Sequence, residues 1–377
     1  MGLTVARARS EAEREKIFEF RYRVYVDVLG LSPPGADRAR KRLWDPLDDV
    51  SLPYALFDDE EVVASLRVTP LDDLPDPTAL IEKFAMEPAI AAMGRSAIGT
   101  TSRFILHPRF RFGTAIYRLM EFAYDEAMAR GLRLNYGDCS PHLLPFYEHL
   151  GYRRYTRAYN DTAFGFKLLI LMLLRDQSRF RHVHSPLLRV ALRYPDDPEA
   201  QVWFERTYPG YLDLESAPFL PEGMFFDMLC DRASTDPLHS AGLLHGLDRD
   251  EADKFLARAA LIQAGPGDRI VREGEPGDAL YVLASGLAEV TLDEAPDRPV
   301  AVLGTGDTFG EVSFLTMKPR TANVVAKTPC EVIVLSGEFL NRFVAKEPVI
   351  ASKILLNISR VLASRLAVTT RQAVTRR

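Results

Sequence analysis

The chain has 377 residues, of which 47% are hydrophobic and 26% are charged, and its formal net charge is −5. This length predicts two or three domains, and the apolar content is sufficient for a core in each of them. The negative charge provides no general basic surface and disfavours binding to nucleic acid. Cys139, Cys230 and Cys330 stand far apart, which disfavours both a disulfide framework and a cysteine metal site.

The chain begins with a charged segment and lacks an apolar signal segment. An apolar run from Leu168 to Leu174 is too short to span a bilayer, and it predicts a buried strand. His182 and His184 stand at alternate positions without a third ligand residue nearby, which disfavours a metal pair. We therefore expect a cytoplasmic protein with no transmembrane segment and no bound metal.

Arginines, aspartates and aromatic residues recur in short motifs over the first hundred residues. The segment KIFEFRYRVYVDVLG, Lys16 to Gly30, carries Arg21, Arg23 and Tyr25. The later motifs supply Asp45 and Asp48 in WDPLDD, Arg67 in ASLRVTP, Phe84 in EKFAME, and Ser102 and Arg103 in TSRF. Each motif alone is equally consistent with ordinary solvated charges on the protein surface. The functional interpretation therefore depends on the order in which the motifs follow one another along the chain.

The segment from Thr100 to Tyr155 predicts a strand, a turn, an amphipathic helix, a second strand and a further helix. The apolar face of the first helix consists of Ile116, Leu119, Met120, Ala123 and Ala127. Gly131 stands where a C-terminal glycine cap belongs. A strand that leads through a glycine-containing turn into a helix is a ready anion site. The backbone amides expected to hold a pyrophosphate or a phosphopantetheine arm are those near Arg111, Phe112, Gly113 and Thr114.

At these residues the chain resembles the GNAT acyltransferase fold, and within it the acyl-homoserine lactone synthases and N-acyl amino acid synthases. The resemblance implies a polar network around a small amine substrate and an acyl donor carried as a thioester by acyl carrier protein or CoA. The implied network residues are Arg21, Arg23, Asp45, Asp48 and Phe84, with Arg67 and Arg103 in the catalytic set. In the common GNAT pattern a Gln or Arg stands three residues before the glycine, whereas this chain has Phe110 three residues before Gly113. This difference weakens the hypothesis that the acyl donor is specifically a CoA thioester, and it is compatible with a carrier-protein thioester.

Acylation of an amine by a thioester needs a neutral amine, a polarised carbonyl and a proton for the leaving thiolate. Backbone amides at a strand bulge near Phe104 to Leu106 could polarise the carbonyl. Tyr147 matches the GNAT tyrosine that protonates the thiol, although a core aromatic residue is the alternative reading. Thr100 occupies the place where the synthases often have a glutamate. The remaining candidates for the base are Glu82, Glu87, Asp138 or a chain of water molecules.

The segment FGEVSFLTMKPRTANV, Phe309 to Val324, has the residue types of a phosphate-binding turn. Gly310 allows close backbone approach, Glu311 can accept from a ribose hydroxyl, and the Arg320 guanidinium matches phosphate oxygens. The remaining candidates are Val312, Ser313 and Thr321. Upstream, short β-type runs alternate with Gly274, Gly277 and Gly286, which predicts an antiparallel barrel or sandwich. This part resembles cyclic-nucleotide-binding domains and implies cAMP or cGMP as a regulator. A degenerate barrel that binds nothing is the alternative.

The last thirty residues predict one helix with an apolar stripe of Ala351, Leu355, Ile358, Leu362 and Leu366. The stripe could form the seam of a homodimer or pack on the barrel, and the two readings stay open. A winged helix-turn-helix needs more residues than follow the barrel, so a transcription factor is disfavoured.

We therefore expect an α+β GNAT-like mixed sheet with flanking helices, followed by a jelly-roll-like β-barrel and a C-terminal helix. The predicted divisions are residues 1–185, a connector at 186–236, the barrel at 237–346 and the terminal helix at 347–377. The predicted function is N-acyl transfer to a small amine such as an amino acid, regulated by a cyclic nucleotide. Two alternatives are a nucleotide receptor with a catalytically silent GNAT-like domain and a protein-lysine acetyltransferase.

Overall fold

The structure is a computed structural model, and it describes residues 2–107, 115–211, 226–227, 230, 242–257 and 259–375. It divides into two compact units. The first unit consists of Met1–Cys139, Phe146–Arg157 and Leu168–Glu215, and the second of Ser140–Pro145, Ala158–Lys167 and Ser216–Arg377. The boundaries expected from the sequence stay predictions.

The strands and helices are numbered in chain order. The strands are β1 (Leu3–Arg7), β2 (Ala36–Asp37), β3 (Arg42–Leu43), β4 (Leu52–Asp58), β5 (Glu61–Pro70), β6 (Ile98–Leu106), β7 (Leu134–Cys139), β8 (Arg153–Arg154), β9 (Tyr159–Asp161), β10 (Gly165–Leu173), β11 (Ala260–Ala264), β12 (Arg269–Val271), β13 (Leu280–Ser285), β14 (Ala288–Thr291), β15 (Ala301–Leu303), β16 (Thr308–Phe309), β17 (Asn323–Ala326) and β18 (Cys330–Leu335). The α-helices are α1 (Glu11–Tyr22), α2 (Leu47–Val50), α3 (Thr78–Phe84), α4 (Glu87–Met93), α5 (Ala115–Ala129), α6 (Leu144–Leu150), α7 (Gln177–His182), α8 (Leu188–Ala191), α9 (Pro198–Thr207), α10 (Arg249–Leu256), α11 (Glu311–Thr316), α12 (Gly337–Lys346) and α13 (Pro348–Thr375).

One mixed sheet has the order β1-β4-β5-β6-β7-β10-β8, with β9 paired to β10. Its pairs are antiparallel except β6 and β7, which run parallel where Ile98–Thr100 face Leu134–Tyr136. Beyond Thr100 and Tyr136 the two described strands continue without a shared ladder. The predicted mixed sheet with flanking helices is confirmed, and its central strands separate toward their carboxyl ends.

A capping box between Ser10 and Glu13 begins α1, because each side chain bonds the other residue's backbone amide. The buried face of α1 includes Ile17 and Phe20, which pack into the same core cluster as Ile105 of β6. A π-helix, Arg23–Val28, continues directly from α1. Since π-helical turns shift the register of a helix surface, this segment changes which side chains point toward the sheet.

A bulge interrupts the pairing of β5 and β6. Arg67 faces Ser102 and Ser65 faces Ile105, so Arg103 and Phe104 together oppose one residue of β5. Arg103 has a left-handed backbone, with φ of 53°. The bulge thus begins one residue earlier than the expected Phe104–Leu106 stretch, and its distortion re-aims the Arg103 side chain.

The amphipathic helix predicted after this strand is α5. Its predicted face is buried, and Gly131 follows the helix with φ of 84°, as a C-terminal glycine cap requires. The apolar run predicted as a buried strand forms β10, in which Leu168 to Leu173 are all buried.

The second unit contains two antiparallel four-stranded sheets, of order β11-β18-β13-β16 and β12-β17-β14-β15. This arrangement and the helix that follows it confirm the predicted β-domain with a C-terminal helix. Most of the predicted apolar stripe of α13 packs on this unit's own core. Ala351 and Ile358 are buried there, next to Ile354, and Leu355 and Leu362 are partly buried. Leu366 lies outside that packing and is 67% exposed. Dimerisation through α13 stays a prediction.

Within the described parts of the chain, none of the helices combines the length and the apolar character needed to cross a membrane.

Candidate functional sites

Five charged side chains form a buried network in the first unit. Arg67 Nη1 contacts Asp45 Oδ1 at 2.6 Å and Asp48 Oδ1 at 3.0 Å. Arg103 Nη2 contacts Asp45 Oδ2 at 2.6 Å, and Arg21 Nη1 contacts Asp48 Oδ1 at 2.7 Å. The structure therefore brings together five of the six arginines and aspartates that the sequence motifs had singled out.

Local turns hold the two aspartates in place. The backbone amide of Asp45 donates to Asp48 Oδ2 at 3.0 Å, and the amide of Leu47 donates to Asp45 Oδ1 at 3.1 Å. On the opposite strands, Arg67 Nε donates to Ser102 Oγ at 3.1 Å. The WDPLDD turn and the β5–β6 bulge together position the network.

Among the residues that the structure describes, the network contains one more positive charge than negative charge, since three guanidinium groups face two carboxylates. Burial raises the pKa of Asp45, but Arg67 and Arg103 outweigh burial and lower that pKa to about 2. Burial lowers the pKa of Arg21, yet a guanidinium in contact with Asp48 keeps its charge. Arg21 Nε and Nη2 are buried and have no hydrogen-bond partner among the described residues. The buried surplus of positive charge suits an anionic group on a ligand.

Two of the predicted network residues lie elsewhere. Arg23 is exposed, where its Nη1 pairs with Glu61 Oε1 at 3.2 Å, so the structure does not bring it into the network. Phe84 is buried in the core with its ring 6.1 Å from that of Tyr136. Its carbonyl accepts a hydrogen bond from the Tyr155 hydroxyl at 2.7 Å.

Tyr147 lies in a group of aromatic rings beside the bulge. Its ring meets those of Phe104, Phe146 and Tyr152 edge to face, at 6.3, 5.4 and 5.4 Å. Burial raises the pKa of Tyr147 well above its usual range, and nearby Cys139, Tyr152 and Asp138 add to the increase. The phenol therefore stays protonated at neutral pH and can serve only as a proton donor.

A partly exposed aromatic stack continues from this group. The rings of Phe104 and Phe146 stack at 5.8 Å with an interplanar angle of 4°, and Tyr117 stacks on Phe146 at 6.3 Å. All three side chains are half-buried, so they present apolar surface where β6 and β7 have separated. The sequence motifs did not indicate this stack, because its members come from three separate elements.

An ion pair between Lys83 and Asp138 lies near the same rings. Lys83 Nζ is 2.7 Å from Asp138 Oδ2, and the two side chains are 34% and 23% exposed. The charges of Asp138 and Arg103 both act on the Tyr25 phenol, and Arg103 Cζ lies 5.8 Å from the Tyr25 ring centroid. Sequence reasoning left Asp138 as one of several candidates and missed Lys83, which has no motif of its own.

The predicted acyl-donor residues Arg111, Phe112, Gly113 and Thr114 lie outside the described residues. Their role stays a prediction.

Thr100 is 3% exposed within β6, opposite Thr69 of β5.

In the second unit, the Arg320 guanidinium is 6% exposed and held from several sides. Its Nη1 donates to the carbonyls of Ala279 and Gly310 at 2.9 and 3.0 Å. A Cβ at Gly310 would lie 2.6 Å from Nη1, and one at Gly277 would lie 2.9 Å from Nη2. Both glycines are therefore needed for the guanidinium to occupy this position.

Aromatic rings complete the surroundings of Arg320. Its Cζ lies 5.3 Å from the centroid of Tyr281, which stacks on Phe309 at 4.9 Å. The backbone amide of Arg320 donates to the Glu275 carbonyl at 2.8 Å, and the Gly274 amide donates to the Arg320 carbonyl at 2.8 Å. A fixed, nearly buried guanidinium next to a glycine-cleared backbone is suited to an anionic phosphate.

Glu311, which follows Gly310, is 6% exposed and bonded to the C-terminal helix. Its Oε1 accepts from Arg365 Nη1 of α13 at 2.8 Å. Arg365 Nη2 also donates to the Thr308 carbonyl. The sequence motif included Glu311 but did not reveal Arg365 as its partner.

The other motif residues differ in their exposure. Ser313 is buried, Val312 is half-buried, and Thr321 is exposed next to Arg320. Thr321 is therefore the member of the motif whose hydroxyl is open to a ligand.

Two family models match the chain. Residues 20–121 match the acetyltransferase (GNAT) domain, and residues 261–347 match the cyclic nucleotide-binding domain. The first match contains the arginine–aspartate network, and the second contains Gly310, Glu311 and Arg320.

Curated relatives match over the second of these regions. The cAMP-dependent protein kinase regulatory subunit of Emericella nidulans is 39% identical over 105 residues, which cover 28% of this chain and 25% of that protein. The CRP-like cAMP-activated global transcriptional regulator of Mycobacterium tuberculosis is 30% identical over 132 residues, covering 34% of this chain and 57% of that protein. The chain thus spans from a quarter to just over half of these relatives.

Among solved structures, the Thermus thermophilus catabolite activator protein is 30% identical, with a TM-score of 0.32. The similarity covers 36% of this chain and 62% of that one.

The folds and sites define a chain that joins an acyltransferase fold to a ligand-sensing β-domain. More specifically, it carries an N-terminal GNAT acetyltransferase domain and a C-terminal cyclic nucleotide-binding domain.

Proposed function

We propose that the protein is an N-acyltransferase that moves an acyl group from a carrier-protein or CoA thioester to a small amine, under control of cAMP or cGMP. The observation that carries this proposal is the network of Arg67, Arg103 and Asp45 at the bulge where β6 and β7 separate. The order of its residues along the chain resembles that of N-acyl amino acid synthases and acyl-homoserine lactone synthases.

An amino acid is the acceptor that the charges favour. Arg103 is the more exposed of the two arginines bonded to Asp45, at 12% against 3% for Arg67. Because three guanidinium groups face two carboxylates among the described residues, a carboxylate on the acceptor would be attracted to the network, with Arg103 as the more accessible guanidinium. The half-buried stack of Phe104, Phe146 and Tyr117 offers an apolar surface for the acyl chain.

The reaction forms one C–N bond and breaks one C–S bond. The acceptor enters as an ammonium ion and must lose two protons, of which one ends on the departing thiol and one reaches solvent. In this proposal Tyr147 supplies the proton to the thiolate, for which its raised pKa keeps the phenol protonated. Backbone amides at the bulge would bond the carbonyl oxygen as negative charge develops on it.

Regulation is proposed to act through α13. A cyclic nucleotide would place its phosphate at Arg320 and its ribose hydroxyl at Glu311, the carboxylate that Arg365 of α13 now contacts. Nucleotide binding would therefore bear on α13 directly and alter access to Arg67, Arg103 and Tyr147. Coupling of this kind is typically about 1–3 kcal/mol.

One observation favours a second candidate, a nucleotide receptor with a silent GNAT domain. Thr100, which cannot act as a base near neutral pH, stands where related synthases often have a glutamate. This candidate predicts nucleotide binding without acyl transfer.

The deciding experiment is mass spectrometry of lipids extracted from cells that express the full chain or its Arg103→Ala variant, with and without added cyclic nucleotide. New N-acyl amino acids found only with the intact chain would support the synthase and identify its substrates. If lipid profiles match while calorimetry detects nucleotide binding, the silent receptor is correct. Acetylation of a lysine peptide from acetyl-CoA, without use of long acyl thioesters, would instead indicate a protein acetyltransferase.

A further inference from the structure

We infer that Asp138 is the carboxylate that binds the acceptor's ammonium group and accepts a proton from it before acyl transfer. The inference rests on the proposed acyltransferase function and assigns the base that its chemistry requires.

The position of Asp138 follows from the sheet. It lies on β7 two residues beyond Tyr136, the last residue of β7 that pairs with β6. On its other side β7 stays paired with β10, where Asp138 faces Leu169. The residue thus lies on a fixed strand at the opening between β6 and β7, across from the bulge that carries Arg103.

Asp138 belongs to the same electrostatic surroundings as the other proposed catalytic groups. Its charge acts on both the Tyr25 and the Tyr147 phenols. Arg103 acts on Tyr25 as well and lies over its ring. An amino acid whose carboxylate meets Arg103 would therefore find a carboxylate for its ammonium group at Asp138.

The contact with Lys83 fixes the position of the Asp138 carboxylate and leaves part of it exposed. Lys83 Nζ is 2.7 Å from Oδ2, while the Asp138 side chain keeps 23% of its surface exposed. The two oxygens of a carboxylate offer about four hydrogen-bonding positions, so one carboxylate can contact more than one cation.

The other candidate bases lie in less suitable positions. Thr100 has no titratable group and is buried in β6. Glu82 and Glu87 are exposed, and the charge of Glu87 acts on Tyr136 and Tyr208 rather than on the phenols beside Arg103.

The reaction would begin when the ammonium group of the acceptor gives one proton to the Asp138 carboxylate and becomes a neutral amine. The amine nitrogen attacks the thioester carbon, the C–N bond forms, and the C–S bond breaks. The nitrogen loses its second proton as the amide forms, and the thiolate gains a proton from Tyr147. Solvent takes up the proton held by Asp138 and the one released by the amide, and it restores the Tyr147 phenol, so one proton is released overall.

The test compares two acceptors in the full-length protein with saturating cyclic nucleotide. One is the amino acid identified from the cell extracts, which is an ammonium ion at neutral pH, and the other is methoxyamine, which is uncharged there. We expect Asp138→Asn to lower kcat/KM for the amino acid by about 100-fold or more, as loss of a general base does. For methoxyamine the loss relative to wild type should be below about tenfold, because no deprotonation precedes attack.

Two control variants separate this role from a structural one. Lys83→Met breaks the same ion pair but leaves the carboxylate, and Asp73→Asn removes a carboxylate whose Oδ2 pairs at the surface with Arg130 at 3.0 Å. Equal losses in Asp138→Asn and Lys83→Met, or an equal loss with both acceptors, would show a merely structural ion pair and overturn the inference. If wild-type protein acylates neither acceptor, the proposed function itself is wrong and the role of Asp138 falls with it.

Discussion

Arg365 of the C-terminal helix donates to the Glu311 carboxylate at 2.8 Å, although 54 residues separate the two along the chain. Glu311 is the motif residue expected to bind the ribose of a cyclic nucleotide. In the proposed nucleotide site the helix and the ligand would therefore share one carboxylate, and the energy of this ion pair would enter the affinity for nucleotide.

Replacement of Arg365 by glutamine is expected to tighten nucleotide binding. The ligand no longer has to compete with the guanidinium for Glu311, and a partly exposed ion pair contributes about 0–1 kcal/mol, or up to about fivefold in affinity. Calorimetry with cAMP and cGMP measures the change, and Arg360→Gln on the same helix is the matched control. A weaker affinity in the Arg365 variant would mean that Arg365 orients Glu311 for the ribose.

The space around Arg320 can be tested with two glycines. Alanine at Gly277 would place its Cβ 2.9 Å from Arg320 Nη2, whereas alanine at Gly304 meets its nearest atom at 4.0 Å. Because the guanidinium must shift only in the first variant, we expect Gly277→Ala to lose about tenfold in nucleotide affinity and Gly304→Ala to bind as the wild type does. Equal affinities, measured by calorimetry, would show that the position of Arg320 is not needed.

Arg21 and Arg23 provide a comparison of buried and exposed charge. Removal of Arg21 takes away one of the two guanidinium partners of the buried Asp48 carboxylate, which keeps Arg67, and we expect Arg21→Met to cost about 1–3 kcal/mol. Arg23→Met removes an exposed partner of Glu61 and should cost about 0–1 kcal/mol. Both tryptophans of the chain, Trp44 and Trp203, lie in the first unit, so their fluorescence during urea unfolding reports that unit alone. Similar costs would contradict the burial of Arg21.

The stability of the first unit should depend on the ionisation of Asp45. Its folded-state pKa is lowered to about 2, below the unfolded value, so its contribution is complete above about pH 4 and is lost as the pH falls toward 2. The contribution is about 2 kcal/mol. Tryptophan fluorescence between pH 5 and pH 2 should show a shallower loss of stability in Asp45→Asn than in the wild type. An unchanged pH dependence would exclude Asp45 as the titrating group.

Much of the fold was predictable because its signals are local and periodic. The face and glycine cap of α5, the buried run of β10 and the glycine-separated strands of the second unit each occupy one continuous stretch. The polar network was predictable only from the order of its motifs. That order could not separate Arg21 from Arg23, because they stand two residues apart at the start of a π-helix that changes which side faces the sheet.

Other site features depend on contacts between distant residues. Lys83 meets Asp138, and Arg365 meets Glu311, only after the chain has folded, and no residue spacing indicates either pair. The stripe on α13 showed that the helix has an apolar face, but its spacing is the same whether that face covers a barrel or a second chain. Contacts within the folded unit were needed to show that Ala351 and Ile358 face their own core.

The uneven count of charges around Asp45 also offers a practical route to the acceptor. A ligand whose carboxylate binds at this network should protect the folded protein against heat, and at a concentration of 100 times its Kd the gain is about 2.7 kcal/mol. A melting-temperature screen of free amino acids can therefore rank acceptors before any acyl donor has been found. Comparison with the corresponding amino acid amides, which lack the negative charge, would show whether the carboxylate is the group being recognised.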